Sequence, residues 1–152
     1  MRLALFQPDI AQNTGTMLRL AACLGVAADI IEPCGFAFDE GRFRRAGMDY
    51  LDRVTLHRHS SWAAFARTHR PGRLVLLTSR AETAYSDFVF QPDDTLMVGQ
   101  ESAGVPQDVH DAADARIRVP MAAGMRSLNV ALAAAMVLGE ALRQTDGFPH
   151  AT

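Results

Sequence analysis

The sequence predicts an α/β fold, a parallel sheet with helices on both faces, formed by residues 1–152 as one domain. Three observations carry this. Short, uninterrupted apolar runs recur along the chain, as in strands covered on both faces. Helix signals fall between them, so strand and helix alternate throughout. Of the 152 residues, 49% are apolar and 21% charged, which suffices for a core without disulfide or metal and excludes a disordered chain.

Residues 3–6 read as a buried strand, ended by Gln7, Pro8 and Asp9. Asn13 is placed to N-cap a helix over 14–24, which Gly25 stops. Residues 29–32 form a second strand before Pro33, residues 38–46 a short basic helix, and residues 54–56 a third strand. Ser60 and Ser61 can cap a helix running to Thr68, with Trp62, Phe65 and Ala66 on one face. Leu74–Leu77 and Thr95–Val98 are strongly apolar strands, the second running into Gly99. Pro106 starts a short helix, and residues 115–119 form the last strand, ended by Pro120. Ser127 opens a long helix to Gln144, and residues 146–152 form a loose tail. From Leu128 through Leu138 that helix has almost no polar face, so it is expected to be buried all round, by its own core or by a second subunit.

Several function classes drop out. Cys23 and Cys34 are the only cysteines and no Cys/His cluster accompanies them, so no metal site is expected and a reducing cytoplasm fits. His57 and His59 share a strand face but lack a third ligand. The N-terminal segment reaches Pro8 too early for a signal peptide, and no apolar run is long enough for a membrane span. Net charge is −2, against the basic balance usual in nucleic-acid binders. All 15 cationic Lys/Arg positions are arginine, so anion contacts must come from guanidinium forks, backbone amides or histidine.

Four segments could carry chemistry. In the first, Asn13 and Gly15 precede Arg19, which stands alone on an apolar helix: a snorkelling or paired arginine, or a charge held at a cleft. The second, Gly99 through Pro106 with Glu101 and Gly104, links a strand end to a helix: an ordinary turn, or the ligand crevice of an open α/β sheet. It matches neither a dinucleotide fingerprint nor a Walker loop. In the third, residues 119–130, Ser127 could serve as an N-cap, while Asn129 is a polar group early in an apolar helix that needs partners. In the fourth, Arg42, Arg44 and Arg45 stand near Phe43 and Tyr50: a solvated face paired with Asp39 and Glu40, or a phosphate- and base-binding patch.

Taken together, these segments resemble the SPOUT class of RNA methyltransferases. Asn13, Gly15 and Arg19 match its N-x-G-x-x-x-R motif, Gly99, Glu101 and Gly104 its glycine–glutamate turn, and Ser127 and Asn129 its S-x-N motif. The run 31–33 and the run 42–50 are similar to the compact subgroup that methylates the tRNA wobble ribose, the TrmL type. The resemblance implies a C-terminal trefoil knot, a cytoplasmic homodimer with sites at the subunit interface, S-adenosylmethionine as cofactor and tRNA as substrate, with C or modified U of leucine tRNAs at the wobble position. It implies a cofactor pocket lined by Leu77, Thr78, Gly99, Glu101, Gly104, Val119, Met121, Ser127 and Leu128, and catalytic positions at Arg19, Asn13, Ser127 and Asn129. Arg42, Arg44, Arg45 and Tyr50 are expected to meet RNA. The family assigns proton removal from the 2′-hydroxyl to the arginine at position 19 with a neighbouring phosphate, and stabilising the developing alkoxide is an equally physical role. Gln100, Ala103 and Ala131 depart from residues common in relatives and bear on cofactor and RNA contacts. Other readings are methylation of another tRNA or rRNA site, a non-catalytic RNA binder of this class, and a flavodoxin-like electron carrier.

Overall fold

Parallel pairing runs across one six-stranded sheet in the computed structural model, which describes residues 1–45, 49–68 and 70–151. The strands are β1 (Arg2–Phe6), β2 (Ala27–Ile31), β3 (Leu56–His59), β4 (Leu74–Leu77), β5 (Thr95–Val98) and β6 (Ala115–Ile117), in the spatial order β3-β2-β1-β5-β4-β6. The helices are α1 (Ala11–Leu24), α2 (Glu40–Arg45), α3 (Trp62–Arg67), α4 (Gln107–Ala112) and α5 (Val130–Gln144), with 3₁₀ turns at Asp49–Arg53 and Tyr85–Asp87. No helix is long and apolar enough to cross a membrane among the described residues.

Side chains alternate between the two faces of the sheet, and both are covered. Leu3, Leu5, Ile30, Leu96 and Val98 pack against Met17, Leu18 and Ala21 of α1 and Ala134, Val137 and Leu138 of α5. Ala4, Phe6, Ile31, Leu76 and Met97 pack against Phe65 of α3 and Val109 of α4. The strand order reverses between β1 and β5, which opens a crevice beyond the carboxyl ends of the strands.

Two buried aspartates sit in closed networks, Asp94 just before β5 and Asp29 in the middle of β2. Asp94, wholly buried, accepts two hydrogen bonds from Arg73, at 2.9 and 2.7 Å, and one from the Gln91 amide at 2.8 Å. Asp29 accepts two from Arg2, at 2.9 and 2.8 Å, and lies 2.8 Å from Nε2 of His59. Asp114 accepts the Leu74 amide at 2.7 Å.

The second strand runs Ala27–Ile31 rather than 29–32, the last ends at Ile117 rather than 119, and larger corrections fall at three places. The first helix begins at Ala11 rather than Thr14, and Ile10 occupies the N-cap position without a side-chain bond. Asn13 therefore sits within the first turn, with its amide spent on tertiary contacts. The third strand is Leu56–His59, because the 3₁₀ turn Asp49–Arg53 occupies the chain before it. The last helix starts at Val130, and Asn129, not Ser127, caps it by accepting from the amides of Ala131 at 2.9 Å and Leu132 at 3.3 Å. Gly25 does end α1, in the left-handed conformation with φ 66°. Of the basic helix expected over 38–46, Glu40–Arg45 is helical, and Ala46 lies outside the described residues.

Helix α5 is not buried all round within this chain. Ala131, Ala134, Val137, Leu138, Ala141 and Leu142 face the core, but Leu132 is 58% exposed and Met136 43%. Leu132 and Met136 stand one turn apart on α5, and Leu128, just before its cap, is also exposed, so all three leave apolar surface open to solvent. The far end of α5 is tied down: Gln144 accepts from the Phe90 amide at 2.9 Å and donates to the Phe88 carbonyl at 3.0 Å.

Candidate active site

Beyond the carboxyl ends of β4, β5 and β6 lies a cleft of about 540 Å³, within the range of small-molecule sites. Three strand ends build it, each followed by a loop. Leu77 and Thr78 come from the end of β4, the turn 99–104 from β5, and Val119 and Met121 from the segment after β6. Ser127, Leu128 and Asn129 enter from the approach to α5, and Ile10 and Asn13 from the start of α1. Apolar walls from Leu76, Val98, Val105 and Val130 meet polar groups from Thr78, Ser79, Glu101 and Asn129.

The glycines of the turn are required by close approach. Gln100 and Gly104 exchange two backbone hydrogen bonds, each 2.9 Å, closing the turn on itself. A Cβ on Gly99 would stand 2.7–2.9 Å from Gly104 backbone atoms, and Gly104 has φ 64°, so neither position takes a larger residue without strain.

A chain of side-chain bonds crosses the cleft floor. Asn129 donates to Oδ1 of Asn13 at 3.1 Å, and Asn13 donates to Oε1 of Glu101 at 3.1 Å. The other oxygen, Oε2 of Glu101, is buried with no hydrogen-bond partner among the described residues. Burial, followed by the adjacent Asp9 carboxyl, raises the Glu101 pKa. Asp9 itself is held well below the usual carboxylate range, first by the neighbouring Glu101 carboxyl and then by the hydrogen bond from Ser102.

All nine positions expected to line a cofactor pocket thus lie around one cleft, and Asn13 and Asn129 join them. Arg19 does not. Its guanidinium lies over the Tyr50 ring, 4.5 Å from the centroid, and donates to the Tyr50 hydroxyl at 3.1 Å. Arg42, Arg44 and Arg45 occupy the exposed side of α2, where Arg44 pairs with Asp52 at 3.0 Å. Phe43 of that helix joins Phe36 and Phe38 in an aromatic cluster. Among the described residues, no group of three His, Cys, Asp or Glu side chains is placed to hold a metal. Asp9 and Ser102 were not singled out by sequence reasoning. Asp9 carries no motif spacing of its own, and only the fold brings it to the turn after β5.

A model of the SpoU rRNA Methylase family matches residues 1–139. The chain belongs to that family. A relative in it, from Beijerinckia indica, is 63% identical over 144 residues, covering 93% of this chain and 90% of its own length, and is named tRNA (cytidine(34)-2′-O)-methyltransferase. A structure described as giving insights into the 2-OH methylation of C/U34 on tRNA superposes with TM-score 0.86 at 38% identity, covering 94% of each chain. The family methyltransferase AviRb of Streptomyces viridochromogenes, solved with AdoMet, superposes with TM-score 0.81 at 26% identity, covering 95% of this chain and 60% of its own.

Proposed function

We propose that this protein transfers a methyl group from S-adenosylmethionine to the ribose 2′-oxygen of the wobble nucleotide, C or U at position 34, of tRNA. The carrying observation is that segments far apart in a chain 63% identical to an enzyme so named close around one cleft beyond the carboxyl ends of β4, β5 and β6. Leucine tRNAs are the proposed acceptors, the cytoplasm the proposed compartment, and residues 1–152 the single methyltransferase domain.

The cleft suits the cofactor. Its apolar walls match an adenine ring and a thioether chain, and Gly99 and Gly104 put bare backbone at its edge. Leu77, Thr78, the 99–104 turn, Val119, Met121, Ser127 and Leu128 would hold it. When bound, the cofactor supplies an electrophilic methyl on sulfur, so the protein's main task is alignment of the attacking oxygen. Asn13 and Asn129 fix the wall of the cleft through their mutual bond, and Asn129 anchors α5 at the same point.

A homodimer completes the reading. The exposed side chains of Leu128, Leu132 and Met136 form apolar surface that a second copy would cover. Arg19, outside its own cleft, would then act at the junction, where it stabilises negative charge developing on the 2′-oxygen. Arg42, Arg44, Arg45 and Tyr50 would bind the RNA backbone and bases from both copies. The trefoil knot belongs to the same proposal, supported by β6 pairing outside β4 while α5 returns to pack on α1 and β5.

The experiment is tritiated methyl transfer to tRNA lacking this modification, with wild type beside Arg19→Ala. Transfer mapped to a 2′-O-methyl nucleotide at position 34 is expected, with a loss of at least about a hundredfold in the variant, the scale of removing one charge-stabilising group. Transfer to another nucleotide, or an unimpaired Arg19→Ala, would refute the respective part.

A further inference from the structure

Asp9 follows the end of β1 and lies behind the turn that forms the cleft floor. Its Oδ1 accepts the Glu101 amide at 3.1 Å, and its Oδ2 accepts the Ser102 hydroxyl. The backbone of Gly35 presses on it from the other side: a Cβ there would come within 2.7 Å of the Asp9 Cβ, and the Gly35 amide donates to the Pro8 carbonyl at 2.9 Å. Asp9 is therefore held between two chain segments and directed at the third.

Glu101 supplies the second half. Asn13 occupies its Oε1, and its buried Oε2 has no donor. A buried carboxylate oxygen without a partner is costly, and two adjacent ionised carboxylates more so. A proton on Oε2 of Glu101, donated to Asp9, removes both costs at once, and a carboxylate has room for such a third donor.

We infer that Asp9 is a positioning residue of this site, clamping the 99–104 turn by accepting the Glu101 amide, the Ser102 hydroxyl and a proton carried on the Glu101 carboxyl. The inference rests on that cleft being the cofactor site. The pair carries one negative charge instead of two while Glu101 keeps its proton, and raising the pH removes that proton and drives the turn off its anchor. The groups facing the pair among the described residues are Ser102 on the turn, Asn13 on α1, Asn129 on the approach to α5, and Arg80 after β4, which lines the same cleft but is bonded to Gln107. None offers Glu101 a compensating positive charge at hydrogen-bond distance. The directions of the two pKa shifts agree with the shared proton.

The test uses the full chain, carbon-13 labelled at glutamate carboxyls, with the Glu101 signal assigned from Glu101→Gln. Its titration is followed by NMR in wild type and Asp9→Asn, and S-adenosylmethionine affinity is measured by calorimetry in both and in Asp9→Ala. Asp9 is only half-buried, and asparagine keeps its shape and one acceptor. Glu101 is expected to titrate above the ordinary glutamate range in wild type and to fall toward it in Asp9→Asn. Affinity is expected to fall on the order of tenfold in Asp9→Ala, the scale of one hydrogen bond to a charged group. A purely structural role would leave the Glu101 titration unmoved. Glu101 titrating normally in wild type, or identically in Asp9→Asn, would overturn the inference, as would undiminished affinity in a folded Asp9→Ala. Wild type failing to bind S-adenosylmethionine would instead strike the cofactor reading, and the titration would still decide the shared proton.

Discussion

Away from the cleft, Asp94 before β5 and Asp29 within β2 are each gripped by an arginine fork, and each of their oxygens has a donor. At the carboxyl ends, Asp9 and Glu101 meet amides and a hydroxyl but no arginine, and one buried oxygen has no donor. The same residue types thus do two jobs in one sheet. A closed network is spent on holding strands together. The other pair lacks a fixed counter-charge, and the shared proton inferred above meets its need instead.

The largest effect that would test this contrast is in the closed networks. Asp94→Ala leaves Arg73 without its partner and is expected to cost about 2–3 kcal/mol in urea unfolding, below the full range for a buried pair because Arg73 reaches solvent. Cofactor affinity of the folded variant should be unchanged, and a large fall would erase the distinction between the two regions. Next comes Asn129→Ala, which removes the cap of α5 and the link to Asn13. About 1 kcal/mol of stability should be lost, now together with cofactor affinity, both readable from thermal shifts with and without S-adenosylmethionine.

Glu101→Gln sharpens the comparison through pH. A carboxyl whose folded pKa is raised stabilises the fold fully below its unfolded value, and that contribution is lost as pH rises through the folded value. Wild type should therefore lose stability from about pH 4.5 upward through the raised pKa of Glu101, and the variant should lack that component. Matching stability-pH curves would count against a raised Glu101. The smallest effect on the fold is expected from replacing Arg42, Arg44 and Arg45 together with alanine. Stability should barely move, since these side chains are exposed, whereas the slope of log affinity for tRNA against log salt should flatten by about 2, as loss of three phosphate contacts predicts. An unchanged slope would remove α2 from the RNA surface.

What could be read in the sequence follows the range of the signals. Leu74–Leu77 and Thr95–Val98 stand at their expected bounds because uninterrupted apolar runs flanked by breakers are purely local features. Gly25 likewise ends α1 through its own conformation. Asn13 and Ser127 misled as caps because each was judged by its neighbours in sequence, while Asn13 is committed to Glu101 and Asn129, 88 and 116 residues away. The cleft was legible since its walls are strand ends and the loops after them. Asp9 was not, because its partners come from a turn 92 and 93 residues on. The placement of Arg19 on Tyr50 was equally invisible: both were marked as site residues, but no periodicity says that one rests upon the other.

The ties at the two ends of α5 bear on how this protein is dismantled. Residues 146–151 form an exposed tail, a natural grip for a processive protease. The bonds of Gly147 to the Leu142 carbonyl and of Thr145 to the Ala141 carbonyl come first, and behind them the Gln144 side-chain amide is fastened to both Phe88 and Phe90 in the loop before β5. Immediately behind it, Leu142 and Ala141 are sealed in the core. Pulling on that segment thus loads the loop and the helix together, so the force is shared at the outset rather than spent on fraying one turn at a time.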